Sequence, residues 1–598
     1  MADQRPSWRK FQRLKFSTKS LSRRARKAEA ATVRHAHRFI FKRLRNIRNV
    51  RQHIALWMLL VGVLLGAASL QLFWFQQSYT ETAAVDGGTY AEGVLGPLET
   101  LNPLYASTDA ERSASRLLFS SLYGYDTNGN LRSDLVKKLE RNKEGDIYTV
   151  HLRDDAKWSD GTDLTANDVV FTVDLLKNPM ARTVITGWQD IEVEALDDRT
   201  VRFSLPSTYA PFMHAMTFPI VPKHILENVD PSQLREAQFS SAPVTSGVFS
   251  HRLTQTVDMT ADRKIVHMVA NDRYYKGAPK LEKFQLHVYG DQEAIARAVR
   301  TSEVNAAANV SLGVIDEKKL NRYSLSATPI NNGVYALLNT ESEVLKDVKV
   351  RRALQRAADT DQIRSSMPQP VQALDLPFFA SQVSGNLPRP AEHDVNAAKK
   401  LLDEAGYTVG EDNLRYKKDV PLKIRIATLK NTEYEAALTT LARQWKDVGV
   451  EVEVEILDAN EVERDVLQTV LQPRNFDVLI YELTMGADAD SYAYWHSSQT
   501  TRRGLNFSNY ANGIADDALA SARLRVEPEL RDAKYIAFAR QWLSDVPAIG
   551  LYRANTYYIK NPTTTTFDAD DSRLVTSADR YGDVLYWSVR KESVYKTP

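Results

Sequence analysis

The longest apolar run in the chain extends from Ile54 to Phe75 and contains no charged side chain in 22 residues. A helix of that length is about 33 Å long, enough to cross the hydrocarbon core of a bilayer. Trp57 near one end and the aromatic residues 73–75 at the other resemble the aromatic belts found at membrane interfaces. The pattern therefore predicts a transmembrane helix over residues 54–75.

Charge on the two sides of this run predicts its orientation. Residues 1–53 carry 17 Lys and Arg against two acidic residues, whereas the rest of the chain carries 60 basic and 73 acidic residues. Because basic segments stay on the cytoplasmic side, residues 1–53 are predicted to be a cytoplasmic leader and the body to lie outside the cell membrane, on the extracellular or periplasmic side.

The basic leader also has a candidate partner in the membrane itself. Val33, Ile40, Leu44 and Ile47 fall on one helical stripe among Lys and Arg. Such a helix can lie on anionic inner-leaflet lipids, where each base contributes about 1 kcal/mol. With an apolar helix directly attached, lipid contact is a simpler explanation than nucleic-acid binding, and no nucleic-acid partner is expected.

A cleaved signal peptide is the alternative interpretation of the apolar run. Signal peptides have a shorter apolar region behind a short basic segment, whereas this run follows a 53-residue leader. Ala83-Ala84 offers a cleavage site, so cleavage stays open, and an uncleaved anchor is favoured.

Beyond Gly87 the pattern changes to alternating strand-like and helix-like segments. Period-two alternation predicts strands over 148–152, 200–205 and 449–456. A period near 3.6 predicts helices over 166–176, 347–358, 395–405 and 433–448. Helices interleaved with strands indicate an α/β fold, and 598 residues are too many for one hydrophobic core.

Composition and motifs narrow the chemistry. The chain has no Cys, which excludes disulfides, Cys-ligated zinc, iron–sulfur clusters, a Cys nucleophile and a lipoprotein anchor. It also lacks G-x-S-x-G, H-E-x-x-H, P-loop and Rossmann motifs, and its 11 His are scattered. We expect neither a metal site nor a cofactor, and we expect a protein that is not an enzyme.

One segment carries a family resemblance. Residues 156–171 read AKWSDGTDLTANDVVF, which resembles the F-x-D-G-x-P-x-T-A-x-D-V-x-F signature of family 5 extracellular solute-binding proteins. That family includes the dipeptide-, oligopeptide- and nickel-binding components of ABC importers. The segment is a turn at Asp160-Gly161 followed by a helix for which Thr165 is a plausible cap, so it is a structural signature.

Six further segments are similar to family motifs and follow in the family's order. They are RTSEVNAA at 300–307, YALLNT at 335–340 with VRRALQRAADTDQI at 350–363, AAKKLLDEAGY at 397–407, ADADSYAYWHS at 487–497, NFSNYANGIAD at 506–516 and DVPAIGLY at 545–552. The resemblance covers roughly residues 86–565. It implies a two-lobed periplasmic-binding-protein-like fold in which two crossovers join the lobes and a hinge closes the cleft.

Mapped onto this chain, the resemblance implies a first lobe over 86–338, a second lobe over 339–548 and a C-terminal segment over 549–598 that returns to the first lobe. It also implies a peptide ligand, ABC transporter permease subunits as partners, and an aspartate that meets the ligand's ammonium group. Either Asp488 has that role, with Asp490 as a weaker candidate, or an ungapped alignment places Met485 there and the contact is absent.

Other ligand-facing candidates come from the same alignment. Thr245, Ser246 and Gly247 match a loop at the edge of the family's cleft, although the glycine could serve only a turn. Asn332 and Gly333 precede the first crossover, although Asn-Gly is also a common hairpin turn. Tyr492 and Trp495 could line the cleft or belong to the core.

The predicted function is that of a membrane-anchored receptor that captures peptides and delivers them to an ABC importer. Two alternatives keep the fold. In the first the ligand is a metal chelate, a sugar or a signalling molecule. In the second the protein is a sensor or scaffold without transport.

Overall fold

The computed structural model describes residues 47–315, 320, 323–458 and 465–595, with a few isolated positions between 27 and 38. The chain divides into two compact units, residues 1–83 with 592–598 and residues 84–591. The predicted apolar stripe of the leader lies mostly outside the described residues.

Among its described residues, the smaller unit contains one long helix, Ile47–Tyr79. In the described part of the chain, this helix is the one that is long and apolar enough to cross a membrane, over Arg51–Phe75. Its apolar side chains are exposed throughout that stretch. Strand Thr80–Val85 follows the helix and pairs with strand Arg590–Tyr595.

The larger unit is built on an eleven-stranded mixed sheet. Ten of its strands, in spatial order, are Glu451–Leu457, Lys423–Leu429, Val478–Thr484, Ser324–Leu338, Ala548–Lys560, Ala306–Ala308, Thr89–Leu95, Lys283–Tyr289, Arg263–Ala270 and Phe249–Asp258. The eleventh, Gln372–Ala373, pairs with Ala548–Lys560.

Three smaller sheets complete the strand content of the larger unit. They are a four-stranded sheet of Val136–Arg141, Ile147–Leu152, Thr200–Ser204 and Glu192–Asp197, a three-stranded sheet of Thr408–Val409, Arg415–Lys417 and Val420–Pro421, and the pair Tyr123–Tyr125 with Leu131–Ser133. In Ile147–Leu152 every second residue is buried, as the period-two pattern predicted.

Helices lie between these strands. Those with α geometry are Asp109–Leu118, Ala166–Lys177, Phe212–Ala215, Lys223–Leu226, Gln292–Thr301, Val348–Ala357, Thr360–Ser365, Val395–Glu404, Thr432–Lys446, Tyr492–Trp495, Gly513–Arg523 and Pro528–Asp545. All four predicted helices are confirmed. Gly406 and Gly449 take positive φ just beyond two of them, the conformation expected of glycine at a helix end.

Two long strands connect the sets of core residues. One hydrophobic cluster draws on residues 90–308 and 558–587, and two others draw on residues 334–554. Strands Ser324–Leu338 and Ala548–Lys560 contribute to both groups and pair with each other in antiparallel register. This topology is the one expected of two lobes with two crossovers, and the exact lobe boundaries stay predictions.

A buried ion pair holds part of the C-terminal segment to the first core. Arg580 donates hydrogen bonds of 2.8 and 2.5 Å to one carboxylate oxygen of Glu92 on strand Thr89–Leu95. Tyr581 donates a third to the same oxygen. Because a buried charge is tolerated only when it is paired and hydrogen-bonded, this network fixes the position of the segment.

Candidate ligand-binding cleft

The pairing of the two crossover strands is interrupted where they pass between the two groups of core residues. Their register shifts between Pro329 and Gly333, which removes residues 330–332 from the regular ladder. Asn331 is held there by hydrogen bonds to Leu574 and Met485 backbone groups and by its own amide, which donates to Gly486 at 2.7 Å. Asn332 is adjacent and lines a large cavity of the unit.

That cavity, called here the main cavity, has a volume of about 580 Å³. Polar side chains dominate its wall. Residues that line it include Asp109, Arg112, Gln292, Asn309, Asn332, Asn431, Thr432, Glu433, Tyr434, Glu482, Thr484, Asn555, Thr556 and Tyr557. They come from the starts of helices Asp109–Leu118, Gln292–Thr301 and Thr432–Lys446, from both crossover strands, from the end of strand Val478–Thr484 and from the residue after strand Ala306–Ala308. A wall of this kind can satisfy the backbone groups of a ligand.

Two carboxylates stand out in this wall. Glu482 accepts hydrogen bonds from the Asn332 amide at 2.5 Å and from the Tyr434 hydroxyl at 2.9 Å. Glu433 accepts one from the Tyr557 hydroxyl. Burial, together with the neighbouring Glu482 charge, raises the pKa of Glu433 above its ordinary value, although the Tyr557 hydrogen bond acts in the opposite direction.

A second cavity of about 450 Å³, called here the aromatic cavity, shares Arg112 and Thr576 with the main cavity. Its wall contains Phe119, Tyr123, Tyr125, Trp188, His214 and Phe218, together with Arg116 and Asp579. Burial raises the pKa of Asp579, and the nearby Arg116 charge opposes that rise. The two cavities therefore adjoin at Arg112. The wall of the main cavity is mostly polar, whereas that of the aromatic cavity is rich in aromatic rings.

Among the residues that the sequence predicts to face a ligand, Asn332 lines the main cavity. Gly333 follows it, and a side chain there would meet Leu374 at 2.6 Å, so close packing explains this glycine. Thr245 and Ser246 are buried, and the Ser246 hydroxyl accepts a hydrogen bond from the Ser120 backbone.

Gly247 lines a smaller cavity of about 240 Å³. A Cβ at this position would lie 2.5 Å from the Leu117 carbonyl oxygen. The backbone at the end of helix Asp109–Leu118 therefore lies too close to position 247 for any residue other than glycine.

Asp488 and Asp490 lie where the two groups of core residues meet, and each is paired with an arginine. Asp488 forms a salt bridge with Arg531, and Asp490 accepts from Arg523 at 2.9 Å. Asp490 also accepts from the Tyr209 hydroxyl at 3.1 Å. Their ligand-binding roles stay predictions, because a ligand ammonium at either site would compete with an arginine already in place.

The two predicted aromatic residues differ in burial. Trp495 is packed in the core against Tyr335 and Trp542, with ring centroids 5.8 and 5.4 Å away. Tyr492 stacks on His496 at 4.0 Å, and the Arg523 guanidinium lies 3.9 Å from its ring centroid. Both residues contact protein groups, and their contact with ligand stays a prediction.

Sequence reasoning missed Glu433, Glu482 and Arg112. One signal was available for Glu482, because it is the single charged residue in the apolar strand Val478–Thr484. Glu433 could not be singled out, because acidic residues are common in the first turn of a helix. Among the residues that the structure describes, no group of three His, Asp or Glu side chains could hold a metal ion.

Comparison with known sequences identifies relatives of this arrangement. The chain is 28% identical over 490 residues to the oligopeptide-binding protein AppA of Bacillus subtilis, covering 79% of this chain and 87% of that protein. It is 23% identical over 501 residues to the periplasmic oligopeptide-binding protein OppA of Escherichia coli, covering 77% and 86%.

Solved structures with the same fold include two-lobed binding proteins. The Listeria monocytogenes substrate-binding protein CtaP matches with a TM-score of 0.73 at 23% identity, covering 84% of this chain and 100% of that one. NikZ of Campylobacter jejuni, solved with Ni(L-His), matches with a TM-score of 0.68 at 23% identity, covering 84% and 99%. AppA of B. subtilis, solved with a nonapeptide, matches at 0.66 and 24%, covering 84% and 99%.

A profile of the family described as bacterial extracellular solute-binding proteins, family 5, matches residues 130–504, more than half of the chain. Members of that family are substrate-binding components of ABC importers and are not enzymes. The two-lobed α/β topology, the interrupted crossovers and this match agree. The chain belongs to the family 5 extracellular solute-binding proteins.

Proposed function

We propose that this protein is a membrane-anchored receptor that captures peptides between its two lobes and delivers them to an ABC importer. The observation that carries the proposal is the main cavity, which lies beside the interrupted crossovers and is lined by amide, hydroxyl and carboxylate groups. A hinge beside a ligand cavity couples binding to closure, which gives a permease a closed shape to recognise.

Peptide is the ligand that this wall supports best. Asn309, Asn332, Asn555, Thr484 and Thr556 line the cavity and offer donors and acceptors that suit a peptide backbone. Main-chain hydrogen bonds are the same for every peptide, so such a wall favours peptides with little sequence preference. The relatives AppA and OppA carry names of oligopeptide-binding proteins.

The anchor is proposed from helix Ile47–Tyr79. Its apolar surface over Arg51–Phe75 is exposed and would be covered by lipid in a membrane. The excess of basic residues in the leader supports an N-terminus in the cytoplasm and a body outside. A receptor tethered in this way stays close to the permease subunits that it serves.

A thermal-shift screen of the full-length chain in mild detergent tests the proposed function. The arms are unmodified peptides of two to ten residues, oligosaccharides and the nickel–histidine complex. A peptide at a hundredfold excess over its Kd stabilises the protein by about 2.7 kcal/mol, which raises Tm measurably. A response to sugars or to the chelate alone contradicts the peptide assignment.

A matched pair of variants locates the response. Asn332→Ala removes an amide from the wall of the main cavity, and Asn128→Ala removes an exposed amide that lines neither cavity. We expect the first to weaken peptide binding by about tenfold, the cost of one good hydrogen bond, and the second to leave it unchanged. Equal effects of the two variants would place the ligand elsewhere.

A further inference from the structure

Glu433 and Glu482 form an acidic pair without a cation. Each accepts hydrogen bonds from neutral donors only, Tyr557 for Glu433, and Asn332 and Tyr434 for Glu482. Among the residues that the structure describes, neither carboxylate has a Lys, Arg or His nitrogen within salt-bridge distance. Arg112, the arginine that lines the same cavity, is paired with Asp109 at 3.2 Å.

A buried hydroxyl beside the pair is also unpartnered. Tyr552 is 1% exposed, and its hydroxyl oxygen finds no hydrogen-bond partner in the described part of the chain. Val334 pairs with Glu482 on one neighbouring strand and with Tyr552 on the other, so the Glu482 and Tyr552 side chains project from the same face of the sheet. Burial first, and then the charges of Glu433 and Glu482, raise the pKa of Tyr552. An unpaired buried hydroxyl next to two carboxylates without a cation marks a place where a donor-rich group is missing.

The aspartates of the predicted ammonium site differ from this pair. The Asp488 carboxylate is paired with Arg531 and lies 3.8 Å from the His214 ring, and the Asp490 carboxylate is paired with Arg523. A ligand cation there would share a carboxylate whose charge an arginine already balances, whereas at the acidic pair it meets a charge that no cation balances. Electrostatics therefore favours the acidic pair.

We infer that Glu433 and Glu482 receive the α-ammonium group of the bound peptide. The inference rests on the proposed function and adds the direction in which the peptide lies in the cleft. An ammonium group has three donors and no acceptor, which matches two carboxylates whose oxygens keep free lone pairs after the hydrogen bonds above. The first residue of the peptide then lies in the main cavity.

The adjoining cavity accounts for the next part of the ligand. A chain that starts at the acidic pair can pass Arg112 and enter the aromatic cavity, whose wall includes Phe119, Trp188 and Phe218. This wall suits an apolar side chain within the peptide. The ligand class is therefore a peptide with a free N-terminus and an apolar residue after its start.

A retention assay tests the assignment. The full-length chain in mild detergent is mixed with a randomised hexapeptide library built without Lys, Arg and His, or with the same library N-acetylated. Native mass spectrometry then measures the bound fraction. Excluding Lys, Arg and His leaves the α-ammonium as the cationic group of the library. We expect the wild-type protein to retain the unmodified library about tenfold better, as a charge-assisted hydrogen bond predicts.

Three variants identify the residues responsible. Glu482→Gln and Glu433→Gln keep the shape of the side chain but remove its charge and replace one acceptor oxygen with an amide donor. Each is expected to lower the tenfold preference towards one while retention of the acetylated library persists. Continued retention of the acetylated library shows that the variant is folded. Because the two glutamates lie on different elements, a local distortion of one element would not explain the same result in both variants. Asp488→Asn is expected to keep the preference.

The outcomes separate the inference from the proposed function. A preference lost in Asp488→Asn and kept in both Gln variants overturns the inference and leaves peptide binding intact. Equal retention of the two libraries by the wild-type protein does the same. Retention of neither library removes the proposed function, and the inference falls with it.

Discussion

The Asn332 side chain donates a 2.5 Å hydrogen bond to the Glu482 carboxylate. Asn332 lies in the three-residue interruption of the first crossover strand, and Glu482 lies on the neighbouring strand Val478–Thr484. One contact thus joins the interrupted crossover to the acidic pair. Under the proposed function, a change in crossover geometry would reach the wall of the main cavity directly, and a ligand on Glu482 would act on the crossover.

The two predicted lobes also contact each other outside the crossover strands. The Tyr209 hydroxyl donates a 3.1 Å hydrogen bond to Asp490, and the Ala210 amide donates to the Arg523 carbonyl at 2.8 Å. A hydrogen bond to a charged group contributes about 1.5–3 kcal/mol. We expect Tyr209→Phe to shift the ligand-free protein towards open forms, seen as a larger radius of gyration in small-angle X-ray scattering.

Tyr416→Phe is the control for that measurement, because its hydroxyl bonds to Asp412 within one exposed turn. Its radius of gyration should equal that of the wild-type protein. A Tyr209→Phe protein that is as compact as the control would show that this contact does not hold the lobes together.

The buried pair of Glu92 and Arg580 is predicted to be the most sensitive charge pair to truncation. Glu92 is 0% exposed and Arg580 is 2% exposed. Arg580→Met leaves the buried Glu92 carboxylate without its cationic partner, which costs about 3–5 kcal/mol of unfolding free energy. Urea unfolding followed by tryptophan fluorescence measures the loss.

Arg235→Met provides the comparison for Arg580→Met. Arg235 pairs with Glu99 at 2.5 Å, but both side chains are exposed. An exposed pair contributes about 0–1 kcal/mol, so this variant should unfold close to the wild-type midpoint. Similar losses in the two variants would contradict the role assigned to burial.

The raised pKa of Glu433 predicts a pH-dependent stability. Burial and the Glu482 charge raise this pKa in the folded state, so the folded protein holds the proton to a higher pH than the unfolded chain. Stability is therefore lost as pH rises through the ordinary glutamate pKa of about 4.3 and levels off above the raised value. Glu433→Gln removes this loss.

Calorimetry of the ligand-free protein between pH 4 and 7 checks this prediction. The Tm of Glu433→Gln minus that of wild type should grow with pH and be positive at pH 7. Glu343→Gln is the control, because Glu343 is exposed and Lys346 lowers its pKa. A Glu433→Gln protein that is less stable than wild type at pH 7 would show that burial and the Glu482 charge do not destabilise the ionised Glu433 carboxylate.

The membrane topology can be measured cleanly because the chain has no Cys. We expect Thr260→Cys, in an exposed turn of the body, to react with a membrane-impermeant maleimide on intact cells. Ser17→Cys in the leader should react only after lysis. Labelling of Ser17→Cys on intact cells would reverse the orientation, and release of labelled body into the medium would indicate cleavage.

Local elements could be predicted from sequence because their periods are set by nearby residues. Ile147–Leu152 and Ala166–Lys177 lie where alternation and helical spacing placed them. The predicted strand at 449–456 forms as Glu451–Leu457, but Val454 and Ile456 are 45% and 46% exposed. This strand is at the sheet edge, and the sequence does not say which strand lacks a neighbour.

The acidic pair could not be predicted, since its members are distant in sequence and their environment depends on the fold. Glu433 is partnered by Tyr557, 124 residues away, and Glu482 by Asn332, 150 residues away. Asn332 could be identified because the family motif fixed the crossover. The arginine partners of Asp488 and Asp490 lie on later helices, so their pairing was equally invisible.

Photo-crosslinking tests the central claim, peptide capture in the cleft, most directly. A hexapeptide library with a benzophenone side chain at its second position is irradiated with the full-length chain, and adducts are mapped by mass spectrometry. If peptides bind in the main cavity, we expect adducts within residues 431–434, 482–484 and 555–557 and in the aromatic cavity, and unlabelled peptide should suppress all of them. Adducts concentrated elsewhere, such as the separate cavity formed by residues 373–390, or adducts that unlabelled peptide does not suppress, would contradict it.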